Sequence, residues 1–142
     1  MLALLLTLLA ATPWPDPWAA RGSGDVEILS TGEVIPTQDE ILTDGKYTVL
    51  DVGAPWCAPC HDAARALRGY AEGHPDTAIR VVTLDGTPAQ SMAAPAAVLA
   101  ERGSLPWLVV YAPDGERVYA GNSPAKALKK LDRARRKDQR SD

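Results

Sequence analysis

Short apolar runs rich in β-branched residues alternate along this chain with segments whose apolar residues recur at helical spacing. Residues 47–52 have the pattern of a buried strand, and residues 79–84 have the pattern of a second one. Between them, the Ala, Leu and Arg content of residues 58–72 favours a helix. A second helix is predicted over residues 88–102, where Pro95 is placed to kink or split it. The first part of the domain is therefore predicted to be β-α-β-α.

The second part predicts a hairpin and a closing helix. Residues 107–111 and 117–120 flank the turn sequence Ala-Pro-Asp-Gly at 112–115, so they are expected to pair as antiparallel strands. Ser123 then caps a last helix, and Pro124 occupies the first helical position.

Two shorter elements come before these, an edge strand over residues 26–29 and a short helix over residues 37–42. Strands separated by helices, followed by a hairpin and a closing helix, predict the α/β class: a central mixed sheet with helices on both faces.

The first 24 residues differ in composition from the rest. Residues 1–11 read MLALLLTLLAA, an apolar run about as long as the core of a signal peptide and too short to cross a bilayer as a helix. Residues 12–24 have the Pro, Gly, Trp and Ala content of a linker. A signal peptide and an uncleaved membrane anchor that extends through Trp14 and Trp18 both remain open, beside an arm with no targeting role. We expect the domain to occupy residues 25–136 and a polar C-terminal tail residues 137–142.

Composition and charge narrow the class further. At 142 residues, 15.1 kDa and 46% hydrophobic residues, the chain suits one globular domain, and its two Cys exclude a disulfide-dense scaffold. The net charge is −3, yet residues 125–142 hold eight Lys and Arg against three Asp and Glu. These cations could contact nucleic acid or anionic lipid, but we interpret the run as a solvated terminal helix. Since no aromatic residues accompany the run, we expect no nucleic-acid partner. We also expect the protein to be a monomer.

The candidate chemistry lies in Cys57-Ala58-Pro59-Cys60, where a predicted strand turns into a predicted helix. A thiol at a helix N-terminus has a lowered pKa, because the first-turn N–H groups and the helix dipole stabilise the thiolate. Cys57 is then a nucleophile. Cys60, one turn further along, would attack a mixed disulfide formed on Cys57, so the pair can cycle between dithiol and disulfide.

The segment TVLDVGAPWCAPC resembles the active-site strand and the Trp-Cys-x-Pro-Cys motif of thioredoxins and their exported relatives. Leu105-Pro106 is similar to the family's cis-proline step, and Pro113-Asp114-Gly115-Glu116 to its hairpin turn. The resemblance covers about residues 25–136. It implies a thioredoxin fold and a protein-disulfide oxidoreductase that needs no cofactor.

The resemblance also implies roles for single residues. Asp51 matches the family's buried acid, which would exchange a proton with Cys60. The substrate-docking surface would be formed by Trp56, Pro59, Leu105 and Pro106. Together with the leader, the resemblance implies an extracytoplasmic location, in the bacterial periplasm. The partners would be protein disulfide substrates and a redox partner protein, and reduction is the favoured direction.

Four positions depart from the thioredoxin pattern. Val81 stands where a lysine often partners the buried acid, and Arg65 where a proline often kinks the active-site helix. Trp107 replaces the threonine that usually follows the cis-proline. Ala58 replaces glycine between the cysteines, where residues tune the stability of the thiolate.

Other classes remain open. Cys57-Ala58-Pro59-Cys60-His61 also satisfies the C-x-x-C-H signature of c-type haem attachment. His61 would then be the proximal ligand, and Met92, His74 or Met1 the sixth. Without haem, we interpret His61 as a solvated helix residue. We expect no metal site, since two thiols and His61 give at most three ligands. The last alternative is a non-catalytic thioredoxin-like binding module.

Overall fold

The computed structural model describes residues 24–142, so the predicted leader, except for Gly24, lies outside the described residues. Each predicted element is present in this part of the chain. The elements are β1 (Asp25–Ser30), α1 (Gln38–Ile41), β2 (Tyr47–Gly53), α2 (Ala58–Glu72), β3 (Thr77–Thr83), α3 (Pro88–Ala93), a 3₁₀ helix (Pro95–Leu99), β4 (Trp107–Tyr111), β5 (Arg117–Gly121) and α4 (Pro124–Ser141).

The five strands form one mixed sheet in the order β1-β3-β2-β4-β5. Strands β1 and β2 each pair in parallel with β3, while β4 pairs antiparallel with β2 and β5 antiparallel with β4. Central strand β2 is buried at every position, as expected for a strand covered on both faces. The predicted mixed α/β sheet is confirmed.

The alternation of side chains along β2 divides the core into two layers. Leu50 and Val52 pack in one apolar cluster with α1 and the 3₁₀ helix. Val49, on the opposite face, packs in a second cluster with α2 and α4, to which Leu67 and Leu131 contribute. Each face of the sheet is therefore covered by helices.

Two predicted elements differ from the structure. The helix predicted over residues 88–102 is split: α3 ends at Ala93, Ala94 is extended, and Pro95 opens the 3₁₀ helix. Proline has no N–H and disfavours the α conformation of the residue before it, which explains the break. The last helix continues to Ser141, so most of the segment expected to be a polar tail is helical.

Within residues 24–142, none of the helices combines the length and the apolar character that crossing a bilayer would need.

Candidate active site

Both cysteines lie where β2 leads into α2. Cys57 is the N-cap residue of α2, and its Sγ accepts a hydrogen bond from the backbone N–H of Cys60 at 3.3 Å. The two residues form a disulfide, with their Cα atoms 5.2 Å apart. Since a thiolate on Cys57 would accept this same N–H at the positive end of the helix dipole, the site stabilises the reactive form of the sulfur.

The disulfide lies at the edge of the core. Cys57 and Cys60 are 6% and 5% exposed and belong to the apolar cluster of the α1 face. Ala58 and Pro59, which separate them, are exposed. The turn that carries the disulfide therefore reaches the surface, and the sulfurs are backed by apolar side chains.

Asp51 is buried on the same side of β2 as Gly53, two residues further along. A Cβ built at Gly53 would lie 3.4 Å from Cys60 Sγ and 3.9 Å from Asp51 Oδ1. The carboxyl and the sulfur thus face the same small space, which the missing side chain of Gly53 leaves open. This arrangement brings the predicted acid close to Cys60.

The burial of Asp51 changes its ionisation. Among residues 24–142, no hydrogen-bond partner reaches its Oδ1. Because desolvation penalises the charged carboxylate, the pKa of Asp51 is raised to about 7. In the parallel register, Val81 of β3 pairs with Asp51, so the position where a lysine often partners this acid holds an aliphatic side chain. A carboxyl with this pKa can take up or release a proton near neutral pH.

The peptide bond between Leu105 and Pro106 is cis, as the resemblance implied. Trp107, the next residue, pairs with Val52 in the antiparallel register of β2 and β4. The cis-proline therefore lies at the end of the sheet from which Cys57 follows. Leu105 is half-buried against the cluster that contains both cysteines.

Trp56 is also half-buried against this cluster. Its Nε1–H donates to Ser91 Oγ at 3.0 Å, and the Ser91 hydroxyl donates in turn to the carbonyl of Leu84 at 2.6 Å. Ser91 is fully buried in α3. The indole is therefore held in a fixed position beside Cys57.

The interpretation of His61 as a solvated helix residue is wrong. Its side chain is buried, with 7% exposure, and its Nε2 lies 2.6 Å from the carbonyl oxygen of Pro55. The neutral ring can donate this hydrogen bond and so fasten the first turn of α2 to the loop that precedes Cys57. His61 was mispredicted because this loop folds back over α2, a contact that helical periodicity does not encode.

The alternatives to a redox disulfide find no support in this geometry. The two cysteines are bonded to each other, and His61 is engaged with Pro55, so the residues of the C-x-x-C-H signature are not arranged around a haem. In the part of the chain that the structure describes, no group of three or more His, Cys, Asp or Glu could hold a metal ion.

Comparison with known proteins places this site in a family. The thioredoxin family model matches residues 35–133. Among solved structures, thioredoxin f from spinach chloroplast is 20% identical, with a TM-score of 0.55 over 79% of this chain and 88% of that one. Thioredoxin from Trypanosoma brucei brucei is 17% identical, with a TM-score of 0.54 over 78% and 92% of the two chains. A search of curated proteins found no match to this sequence.

The fold and the Cys-x-x-Cys disulfide are those of a thiol–disulfide oxidoreductase. This chain belongs to the thioredoxin family, as the family model matches most of its length. The fold and the type of activity implied by the sequence resemblance are thereby confirmed.

Two residues of the site, Gly53 and Ser91, are not among those predicted from the sequence. Gly53 follows Asp51 at the end of a strand, and a glycine there is a signal that another group approaches the backbone closely. Ser91 gives no comparable signal, because its contact with Trp56 spans 35 residues of sequence.

Proposed function

We propose that this chain reduces disulfide bonds of protein substrates in an extracytoplasmic compartment, with Cys57 as the attacking cysteine and Cys60 as the resolving one. The observation that carries the assignment of roles is the cap of α2, where the Cys60 N–H donates to Cys57 Sγ. The location rests on the apolar run of residues 1–11, which is typical of an export or anchoring segment.

The reaction needs no group beyond the chain and its substrate. The Cys57 thiolate attacks one sulfur of the substrate disulfide, that S–S bond breaks, and a substrate thiolate leaves. The Asp51 carboxylate then accepts the proton of the Cys60 thiol. The Cys60 thiolate attacks Cys57 Sγ, which releases the second substrate thiolate and leaves the oxidised pair seen in the structure. Two electrons have passed to the substrate, so a dithiol partner protein must restore the reduced form.

The substrate would dock beside the disulfide, on the exposed Pro59, the half-buried Trp56 and Leu105, and the backbone at the cis-Pro106 bond. A structurally similar thioredoxin has been solved in complex with a reductase. Thioredoxin f2, solved in complex with ferredoxin:thioredoxin reductase, is 18% identical, with a TM-score of 0.55 over 79% of this chain and 96% of that one.

Reduction of insulin disulfides by the full chain, with dithiothreitol as electron source, tests the cysteine roles. Cys57→Ser should abolish turnover. Cys60→Ser should still attack but accumulate a mixed disulfide with the substrate, visible on a non-reducing gel. If Cys57→Ser kept full activity, Cys57 would not be the nucleophile.

A glutathione redox titration, with a visible spectrum of the same sample, tests the direction. A two-electron transition at about −270 mV, as in thioredoxin, would support a reductase, whereas about −120 mV would indicate an oxidant. A Soret band would contradict the proposal altogether. For the location, fractionation of cells expressing the tagged chain should place it outside the cytoplasm.

A further inference from the structure

The cations of α4 are concentrated on one side of the helix. Seven of its eight basic residues recur at intervals of three and four, so they share one face. We call this face the basic stripe; it consists of Lys126, Lys129, Lys130, Arg133, Arg136, Lys137 and Arg140. All seven are exposed, and within residues 24–142 none of them forms an ion pair.

The other charges of α4 face the protein and have partners. Arg135 pairs with Asp76 at 2.8 Å. The carboxylates of Asp132 and Asp138 accept hydrogen bonds from the hydroxyls of Tyr70 and Tyr47. Arg135, Asp132 and Asp138 thus connect the helix to the rest of the domain, whereas the basic stripe forms no ion pair within the described residues.

The stripe contrasts with the charge of the remaining chain. The whole chain has 15 Lys and Arg and 18 Asp and Glu, of which residues 125–142 hold eight and three. The rest of the chain therefore has seven basic and fifteen acidic residues. A large anionic surface would attract the stripe and repel most of the rest of the molecule. Such a surface would therefore bind the protein in one orientation.

The chain enters the domain close to the C-terminal half of this helix. Gly24 lies against Ala71 at the end of α2. The first strand begins at Asp25 beside Ala78 of β3, and Tyr47 at the start of β2 holds Asp138 of α4. Cys57 follows the opposite end of β2. The point where the chain enters the domain and the C-terminal end of the stripe thus lie at one end of the molecule. The disulfide lies at the other end.

We propose that the basic stripe docks on an anionic lipid surface. Residues 12–24 can span at most roughly 45 Å, so an apolar segment 1–11 held in a membrane would keep the stripe near that membrane. Such tethering raises the effective concentration of a weak binding surface. Each Lys or Arg near an anionic bilayer adds to the binding free energy. The attraction between these cations and the lipid headgroups decays within a Debye length of about 8 Å at physiological salt. Docking along the stripe would leave the α1 face of the sheet turned away from the bilayer.

The test uses the full chain with Cys57 and Cys60 replaced by Ser, so that it does not depend on the redox activity. A dye is attached to Cys in a Gln139→Cys variant, next to the stripe. The chain is reconstituted in vesicles of phosphatidylcholine alone or of equal parts phosphatidylcholine and phosphatidylglycerol. A lipid with a nitroxide headgroup quenches the dye, and fluorescence lifetimes resolve docked from undocked molecules. A dye at Val98→Cys, exposed and on the α1 face of the sheet, serves as the positional control.

The proposal predicts quenching at residue 139 that needs phosphatidylglycerol and is lost in high salt, with the dye at residue 98 unquenched. The charge reversal Arg136→Glu/Arg140→Glu should lower the ratio of docked to undocked molecules at least roughly 25-fold, because the loss of each cation alone costs about fivefold. Arg65→Glu/Arg102→Glu, an equal change of charge outside the stripe, should leave this ratio unchanged.

Equal quenching on both kinds of vesicle would show that the tether alone brings the helix near the lipid, and would overturn the proposal. Equal loss in the two charge-reversal variants would do the same, since net charge and not the stripe would then act. No quenching on either vesicle would also overturn it and leave an acidic protein or a nucleic acid as the partner to test.

Discussion

Asp51 is held in an environment that disfavours its charge. Its carboxyl is buried between β2 and α2, and Val81 beside it offers no positive charge. Desolvation raises the pKa from its ordinary value of 3.8 to about 7. In the unfolded chain the group titrates near its ordinary value, so ionisation favours unfolding. The stability of the fold should therefore decrease as pH rises from about 4 to about 7, and stay lowered above that.

Asp51→Asn removes the free-energy cost of ionising a buried carboxyl. The stability of the variant relative to the parent should increase by about 3 to 4 kcal/mol between about pH 4 and about pH 8, because one pKa unit corresponds to about 1.4 kcal/mol. Urea unfolding of the oxidised proteins at the two pH values measures the difference. The exposed Asp44→Asn is the control and should show little change. A pH-independent effect of Asp51→Asn would mean that the folded carboxyl has an ordinary pKa.

The same variant tests the proton transfer. Without a carboxylate near Cys60, release of the substrate from the mixed disulfide should slow, and its dependence on pH near neutrality should disappear. Rapid-mixing kinetics of the release step give the profile. An unchanged profile would remove Asp51 from the mechanism.

At the scale of elements, the junction of β2 and α2 is fastened from two sides. Trp56 is held by Ser91 of α3, and Pro55 by His61 of α2. Both hydrogen bonds join the loop before Cys57 to helices on either side of it. The position of the nucleophile therefore depends on contacts outside the Cys-x-x-Cys segment.

His61→Leu should loosen this junction. Loss of the hydrogen bond to Pro55 should lower the free energy of unfolding by about 1 to 2 kcal/mol and speed hydrogen exchange of the Trp56 and Cys57 amides. His61→Gln, which keeps a side-chain donor, should recover part of both effects. If the Leu and Gln variants behaved alike, burial of the side chain would matter and the hydrogen bond would not.

At the scale of the whole molecule, α4 closes the face of the sheet that α2 leaves partly open. Leu131 is fully buried in the cluster that joins α2, α4 and the sheet, whereas Leu128 is only partly buried there. The cluster lies on the far side of β2 from the apolar residues that surround the disulfide. Stability and redox chemistry should therefore respond separately to changes in α4.

Leu131→Ala should destabilise the entire domain by about 2 to 5 kcal/mol, as expected for a buried leucine replaced in a packed core. Leu128→Ala, the matched control on the same helix, should lower the free energy of unfolding clearly less, because Leu128 is only partly buried. Equilibrium unfolding measures both, and the glutathione titration should give the parent potential for each variant. A shift of potential in Leu131→Ala would show that the two halves of the core are coupled.

Local patterns in the amino-acid sequence specify the secondary structure and the position of the reactive pair. Residues 58–72 and 107–111 were predicted with the bounds that the structure has, because apolar periodicity, turn residues and caps act over a few residues. Cys57 could be placed at a helix N-terminus for the same reason. The family resemblance added the cis-proline at residue 106.

The surroundings of those residues are set by tertiary packing. The desolvation of Asp51 depends on β3 and β4 lying on either side of β2, and the hold on Trp56 depends on a serine 35 residues away. The burial of His61 follows from the loop that folds over α2. The C-terminal end of the basic stripe lies near the chain entry because of the direction in which α4 crosses the sheet. Each depends on packing between distant segments, which local sequence patterns do not specify.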